Sequence, residues 1–227
     1  MKIRTGFVSN SSSTSFVVIF PEGFDAATLS SDKNVKNLLK ESRIRGLHAF
    51  GVALRLGKSE FIPHKFFHLQ EALDYIDASI FDTAILHTRY DTSGDWRILD
   101  NNQPVYSHGS ILVFNGVIRM STQKQYEVEF GRSYLTDNDG EIILDMYIRQ
   151  EHDKVASLLS EECVSFAGIF AVNGEVFAIR NERRPMWYAE NGREKVIVST
   201  KDILLRASPE AFPVSREVIP MEVLAPC

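Results

Sequence analysis

Three polar positions and one glycine along this 227-residue chain could together hold and activate a small amide. Arg89 follows the apolar run Ala84-Ile85-Leu86, and its planar guanidinium suits a carboxylate gripped by two parallel hydrogen bonds. Asp139 stands beside a glycine just ahead of another apolar run, where its carboxylate could accept from an ammonium group. Asn115 offers a side-chain amide donor, and Gly116 lets a backbone N–H approach a ligand closely. A guanidinium, a carboxylate and two amide donors describe a pocket for an amino acid with an oxyanion site beside it. Each signal also has a plain structural alternative: an ion pair or carbonyl clamp for Arg89, a hairpin turn for Asn115-Gly116, a helix lead-in for Asp139.

Such a pocket works on an amide only with a nucleophile, and no cysteine lies near the amino terminus. The hydroxyl-rich stretch SNSSSTS at 9–15 reads as a loop or flexible arm. It feeds Phe16-Val17-Val18-Ile19-Phe20, a continuous apolar run stopped by Pro21 that fits a strand buried on both faces. Ser15 is therefore expected at the mouth of a central strand. Thr14 and Ser13 are its neighbours in the same role.

The remaining elements must carry these groups. Ser30 or Ser31 caps an expected helix to about Ser42, and Arg45-Gly46 turns the chain into an apolar strand over 48–54. Leu69, Leu73, Ile76 and Ile80 recur at helical spacing, and Asp91 to Gly109 is polar and turn-rich, a long surface loop. Ile111 to Phe114 is a buried strand, with Asn115-Gly116 as a turn signal before Val117. Helices are expected over 141–148 and 153–161, then strands at 165–170, 175–180, 186–189 and 194–199, separated by Asn173-Gly174 and Asn191-Gly192 turns. From Ser208 onward, four prolines suggest an extended tail lying on the body. Strands, helices and a strand meander in this order fit an α+β chain: two antiparallel sheets stacked face to face with helices outside.

Composition narrows the classes. With 44% apolar and 24% charged residues the chain is ordinary globular protein of one large domain, and a net charge of −5 gives no reason to expect a nucleic-acid partner. No signal peptide or membrane span is expected, so a cytoplasmic location is the default. The two cysteines are too few for a disulfide framework or zinc cluster, and Cys163 reads as a buried core thiol. His64 and His68 are four apart, but Pro63 and the Phe66-Phe67 pair argue against a metal-bearing helix face. Trp96 is either a lid over a pocket or the anchor of an ordered loop.

Taken in order, several blocks resemble the amino-terminal glutaminase domain of the class II glutamine amidotransferases, which use an amino-terminal nucleophile. Arg45-Gly46 with the strand after it is similar to the family's arginine-glycine turn, and His87-Thr88-Arg89-Tyr90-Asp91-Thr92-Ser93-Gly94 to its histidine-threonine-arginine-tryptophan block. Asn102 to Pro104 resembles the proline-containing loop that follows, Phe114 to Ile118 the asparagine-glycine pair, and Thr136 to Ile142 the stretch with the amine-binding aspartate. The resemblance implies a four-layer αββα sandwich of the amino-terminal-nucleophile (Ntn) hydrolase type. It divides the chain into an arm at 1–14, a glutamine amidotransferase type 2-like domain at 15–205 and a tail at 206–227. It implies that Arg89, Asp139, Thr92, Arg45 and Gly46 bind the substrate, and that Asn115 and Gly116 form the oxyanion hole. The ligand would be glutamine or a related amide, with no cofactor and no metal, and a separate synthase or acceptor protein would take any ammonia.

The family's terminal cysteine is replaced here by Ser15, which needs an α-amine released by cleavage after Thr14. Tyr90 for tryptophan and Ser93 for histidine are further departures. They leave three functions open: an amidotransferase-like hydrolase, a catalytically silent module that binds an amino acid or a protein partner, or a structural or host-interacting scaffold. The opening Arg4 to Ser12 also resembles the start of assorted phage and bacterial proteins.

Overall fold

The computed structural model of the protein describes residues 13–19, 33–90, 94–190, 194–207, 214–221 and 223. Seven strands build one sheet: β1 (Ser13–Ile19), β2 (Ala49–Arg55), β3 (Ile62–Phe66), β4 (Thr83–Arg89), β9 (Trp187–Glu190), β10 (Glu194–Val198) and β11 (Val214–Glu217). They lie in the order β11-β9-β10-β1-β4-β2-β3. A second sheet, ordered β5-β6-β7-β8, holds β5 (Val105–Ser107), β6 (Ser110–Val117), β7 (Ser165–Val172) and β8 (Glu175–Arg180). Every pairing described is antiparallel.

Alternation along the strands sorts the apolar side chains into three layers. Val52, Ala84, Leu86, Val196 and Val198 of the large sheet pack under α1 (Lys33–Ser42), α2 (Leu69–Asp77) and a helix over Lys201–Ala207. Leu112, Phe114, Phe166 and Phe170 of the small sheet pack under α3 (Gln123–Phe130), α4 (Gly140–Ile148) and α5 (His152–Ser160). Ala53, Ile85, Ile111, Val113, Ala167, Ile169 and Ile197 fill the space between the sheets. The architecture is a four-layer αββα sandwich, with the helix over Lys201–Ala207 as α6. No helix is long and apolar enough to cross a membrane among the described residues.

Several local expectations change. Asn115-Gly116 is not a turn: β6 continues through Val117, with Asn115 paired to Ala167 and Gly116 to Phe166. Asn173-Gly174 is the turn it was expected to be, both residues taking positive φ between β7 and β8. The 91–109 stretch contains a 3₁₀ turn at Leu99–Asn101 and the short strand β5. Strand β3 escapes an apolar-run search because it is an edge strand with Pro63 inside it and Ile62 exposed. Helix α3 escapes because only Tyr126 is buried on it; Gln125 accepts from the Thr122 N–H to start it, and Gly131 ends it in the left-handed region. Cys163 is exposed rather than a core thiol. The Ser30/Ser31 cap, the Asn191-Gly192 turn and Thr92 lie outside the described residues.

Candidate functional site

The expected groups gather where β4 and β6 end. On β4, Ala84 and Leu86 face the outer core and the Thr88 hydroxyl donates to the Ser42 carbonyl at 2.8 Å. Ile85 faces the inner core, so His87 and Arg89 follow it into the space between the sheets. Both are buried, Arg89 with 4% of its surface exposed. Its Nη1 donates to the Asn101 carbonyl and its Nη2 to the Gly94 carbonyl at 3.1 Å. A carbonyl clamp is thus among the contacts that Arg89 makes in this structure.

The clamp is itself well held. Asn101 accepts at its carbonyl from Asn138 Nδ2 (2.9 Å), accepts at Oδ1 from the Asp137 N–H (3.0 Å), and donates from Nδ2 to the Asp95 carbonyl (3.1 Å). Asn102 Nδ2 donates to the Trp96 carbonyl at 2.8 Å. The Trp96 ring stacks on His48 at 5.0 Å, and His48 stacks on Tyr90 at 5.1 Å, so Trp96 anchors an ordered loop. Gly46 completes the underside, because a Cβ there would lie 2.2 Å from the Arg89 backbone carbon. Beside it, burial pulls the Arg45 guanidinium below its ordinary basicity, with Asp202 opposing the shift. The structure therefore sets Gly46 against the Arg89 backbone, while the charges bearing on the Arg45 guanidinium are those of Asp202 and Arg184.

Asp139, 1% exposed, ties this network to β6. Its Oδ2 accepts from the N–H groups of Ile118 (2.7 Å) and Arg119 (2.9 Å), just past the end of the strand. Burial pushes its carboxyl above the usual range, and those two N–H groups and the Arg89 charge pull it back.

Asn115 sits differently. Val113 lies in the inner core and Phe114 in the outer one, so Asn115 projects between the sheets, and it is wholly buried. Among the described residues, neither its Oδ1 nor its Nδ2 has a hydrogen-bond partner. A buried amide left so costs roughly 1–3 kcal/mol in a folded protein. Gly116 is required by packing, since a Cβ would meet the Ser165 carbonyl oxygen at 1.9 Å. Phe114 exchanges both backbone hydrogen bonds with the Gln103 side chain, donating to Oε1 at 2.6 Å and accepting from Nε2 at 3.1 Å. By ladder alternation the Gly116 N–H points to that same edge, beyond β5.

Two residues were missed by sequence reasoning. Gln103 extends the small sheet in place of a strand residue; the signal was Gly51 within an apolar strand, where a Cβ would lie 2.2 Å from the Gln103 carbonyl oxygen. His87 is 1% exposed, and neither ring nitrogen has a hydrogen-bond partner. The Phe114 carbonyl across the sandwich favours its protonated form, but that oxygen already accepts from Gln103. Burial, then the Arg89 charge, hold the imidazole neutral, down to about 3.

Ser15 lies within β1 rather than ahead of it, because the strand begins at Ser13. Its backbone pairs with Leu86 on one side and Val198 on the other. A cavity of about 640 Å³, lined by Lys65, Asp100, Tyr106 and Glu141 among others, includes none of the expected site residues. No group of three metal-ligating side chains occurs among the described residues.

Solved structures share this fold. A glutamine phosphoribosylpyrophosphate amidotransferase from B. subtilis, complexed with ADP and GMP, superposes with a TM-score of 0.67 at 18% identity, covering 94% of this chain and 47% of that one. A structure described as the allosteric regulatory enzyme of purine biosynthesis gives the same figures, so the chain spans about half the length of each. A glutamine aminotransferase class-II domain protein from Silicibacter pomeroyi matches over 94% of this chain and 95% of its own, at TM-score 0.55 and 13% identity. No protein-family model and no curated protein sequence matches. At these identities the likeness establishes the fold alone: the four-layer αββα sandwich is shared with these amidotransferase structures.

Proposed function

We propose that this protein binds glutamine or a related amide in the manner of a class II glutamine amidotransferase domain and hydrolyses it. The observation that carries the reading is the wholly buried, unpartnered carboxamide of Asn115. Folded proteins rarely leave such a group unsatisfied, and a catalytic role is one of the recognised reasons for the exceptions. Asn115 Nδ2 and the Gly116 N–H would receive the oxygen of the tetrahedral intermediate. Asp139 would accept the substrate amine, and Arg89 its carboxylate once the Gly94 and Asn101 carbonyls yield. Arg45, Gly46 and Thr92 would shape the same end of the site. The reactive hydroxyl would come from the start of β1, and a separate acceptor protein would use the ammonia.

One observation favours a second reading, a silent amino-acid-binding module. Ser13 and Thr14 take part in the β1–β4 ladder ahead of Ser15, and in an uncut chain the nitrogen of Ser15 would be a peptide nitrogen and not the amine an Ntn hydrolase uses as base. Ammonia release from L-glutamine, measured alongside calorimetric titration with L-glutamine and L-glutamate, separates the two. Release above the buffer rate supports the hydrolase; saturable binding without release supports the silent module; absence of both overturns the amide reading.

A further inference from the structure

Between the edge strands β3 and β5 lies the cavity of about 640 Å³ that none of the expected site residues lines. Its size falls within the roughly 300–1,000 Å³ of small-molecule sites. Lys65 enters it by strand alternation: His64 and Phe66 pair with Val52 and Phe50 of the outer core, so the residue between them turns to the inner face. Its Nζ donates to the Asp100 carbonyl at 2.8 Å, the one hydrogen bond it makes among the described residues. An ammonium carries three donors, so two are left unspent.

Glu141, 7% exposed in the first turn of α4, supplies the opposite charge to the same cavity. Its Oε2 accepts from the Leu135 N–H at 2.7 Å and its Oε1 from the Thr136 hydroxyl at 2.8 Å, which fixes the carboxylate without exhausting its acceptor positions. Lys65 and Glu141 bear on each other's charge, yet no ion pair joins them among the described residues. Asp100 adds a second carboxylate to the lining. A dianion would face two like charges here and a diamine would face Lys65, whereas a zwitterion gives each charge its opposite. Leu99, Tyr106 and Leu135 line the same cavity and are exposed, Leu135 over 81% of its surface, so apolar area lies uncovered beside the charges.

We propose that this cavity is a second site, which binds a free α-amino acid with a bulky apolar side chain. Lys65 holds the ligand carboxylate, Glu141 holds its ammonium group, and Leu99, Val105, Tyr106 and Leu135 receive its side chain. Burial pulls the Lys65 ammonium down to about 8, with Asp100 and Glu141 opposing the shift and Arg89 adding to it. At neutral pH the group is therefore still charged but short of solvent, and a carboxylate beside it supplies what burial removed. Burial also raises the Glu141 carboxyl above its ordinary range, against its bonds from Thr136 and Leu135 and the Lys65 charge, so a ligand ammonium favours its ionised form in turn. The site is separate from the one around Arg89. The turn at Leu99–Asn101 divides them, presenting the Asp100 carbonyl to Lys65 and the Asn101 carbonyl to Arg89. The inference goes beyond the amide reading and does not depend on it.

The test is calorimetric titration of the full chain with L-phenylalanine and with its two single-charge analogues, 3-phenylpropionate, which lacks the amine, and phenethylamine, which lacks the carboxylate. L-Phenylalanine is expected to bind saturably, and each analogue roughly tenfold or more weakly by comparison. Lys65→Met is expected to weaken L-phenylalanine by a similar factor while leaving phenethylamine unchanged, because that ligand has no carboxylate to lose. Glu141→Gln is expected to do the converse, weakening L-phenylalanine and sparing 3-phenylpropionate. A merely structural role for either residue would weaken all three ligands alike. No saturable binding of L-phenylalanine, equal affinity for the three ligands, or a Lys65→Met variant that binds L-phenylalanine as wild type does overturns the proposal. Should Glu141→Gln not fold, the Lys65→Met comparison decides alone. Failure here leaves the amide reading standing, and failure of L-glutamine to bind or react leaves this one.

Discussion

Two buried asparagines of the small sheet's surroundings have opposite fates. Asn181, 4% exposed, satisfies its whole carboxamide: Oδ1 accepts from the N–H groups of Phe166 (3.0 Å) and Arg183 (3.2 Å), and Nδ2 donates to the carbonyls of Leu159 (3.1 Å) and Val164 (3.0 Å). Asn115, wholly buried on β6, two strands from β8, satisfies none of it among the described residues. The same side chain is structural at one position and poised at the other. Both lie at the same end of the small sheet, where Asn181 and Gly116 flank Phe166; there the Asn181 side is arranged for stability, and the Asn115 side keeps bonding capacity in reserve.

That contrast can be broken by substitution. The largest effect is expected from Gly116→Ala, whose new Cβ would collide with the Ser165 carbonyl: about 3 kcal/mol or more of stability lost, read by chemical denaturation. Next, Asn181→Ala strands the buried Phe166 N–H and Leu159 carbonyl and weakens the hold on two further backbone groups, and should cost about 3 kcal/mol in the same assay. Asn115→Ala should do the reverse, changing stability by no more than about 1 kcal/mol because no bond is lost. Its turnover should fall roughly 100-fold, the effect of one missing oxyanion donor. Equal losses of stability for the two asparagines would erase the comparison.

A pH experiment sharpens it. The His87 pKa is lowered on folding to about 3, so between that value and the ordinary imidazole range the unfolded chain binds the extra proton. The stability contributed by the neutral ring is complete above about 6.5 and lost as pH falls through that window toward the folded value. Denaturation curves at pH 7, 5 and 4 should show a slope that His87→Asn reduces by up to one proton. A parallel slope in the variant would mean that the ring is not held neutral. The smallest effect is expected from Trp96→Ala, which removes the stack on His48 and should cost about 1 kcal/mol, with weaker ligand binding as the loop loosens.

Much of the scaffold was legible in the residues. Strands β2, β4, β7 and β8 announce themselves because burial on one or both faces demands continuous apolar runs, and α4 and α5 follow the expected segments. The four-layer fold follows from that order of elements. What was not legible has identifiable causes. Edge strand β3 and helix α3 bury too little to leave a pattern. Asn-Gly is a turn at 173–174 but a strand interior at 115–116, because the approach of Ser165 demands a glycine there. Arg89 was expected to reach for a ligand, and which carbonyls it meets depended on where the 94–102 loop folds.

The chain's own chemistry determined that an arginine, an aspartate, an asparagine-glycine pair and a row of hydroxyls would stand at strand ends, because apolar runs and turn residues mark those ends locally. Only the tertiary structure decided which partners the backbone of β1 meets on either side. A shift of one residue in register exchanges the two faces of a strand, and the pairing partners that set the register, Leu86, His87 and Val198, lie about 70 and 180 residues away in sequence.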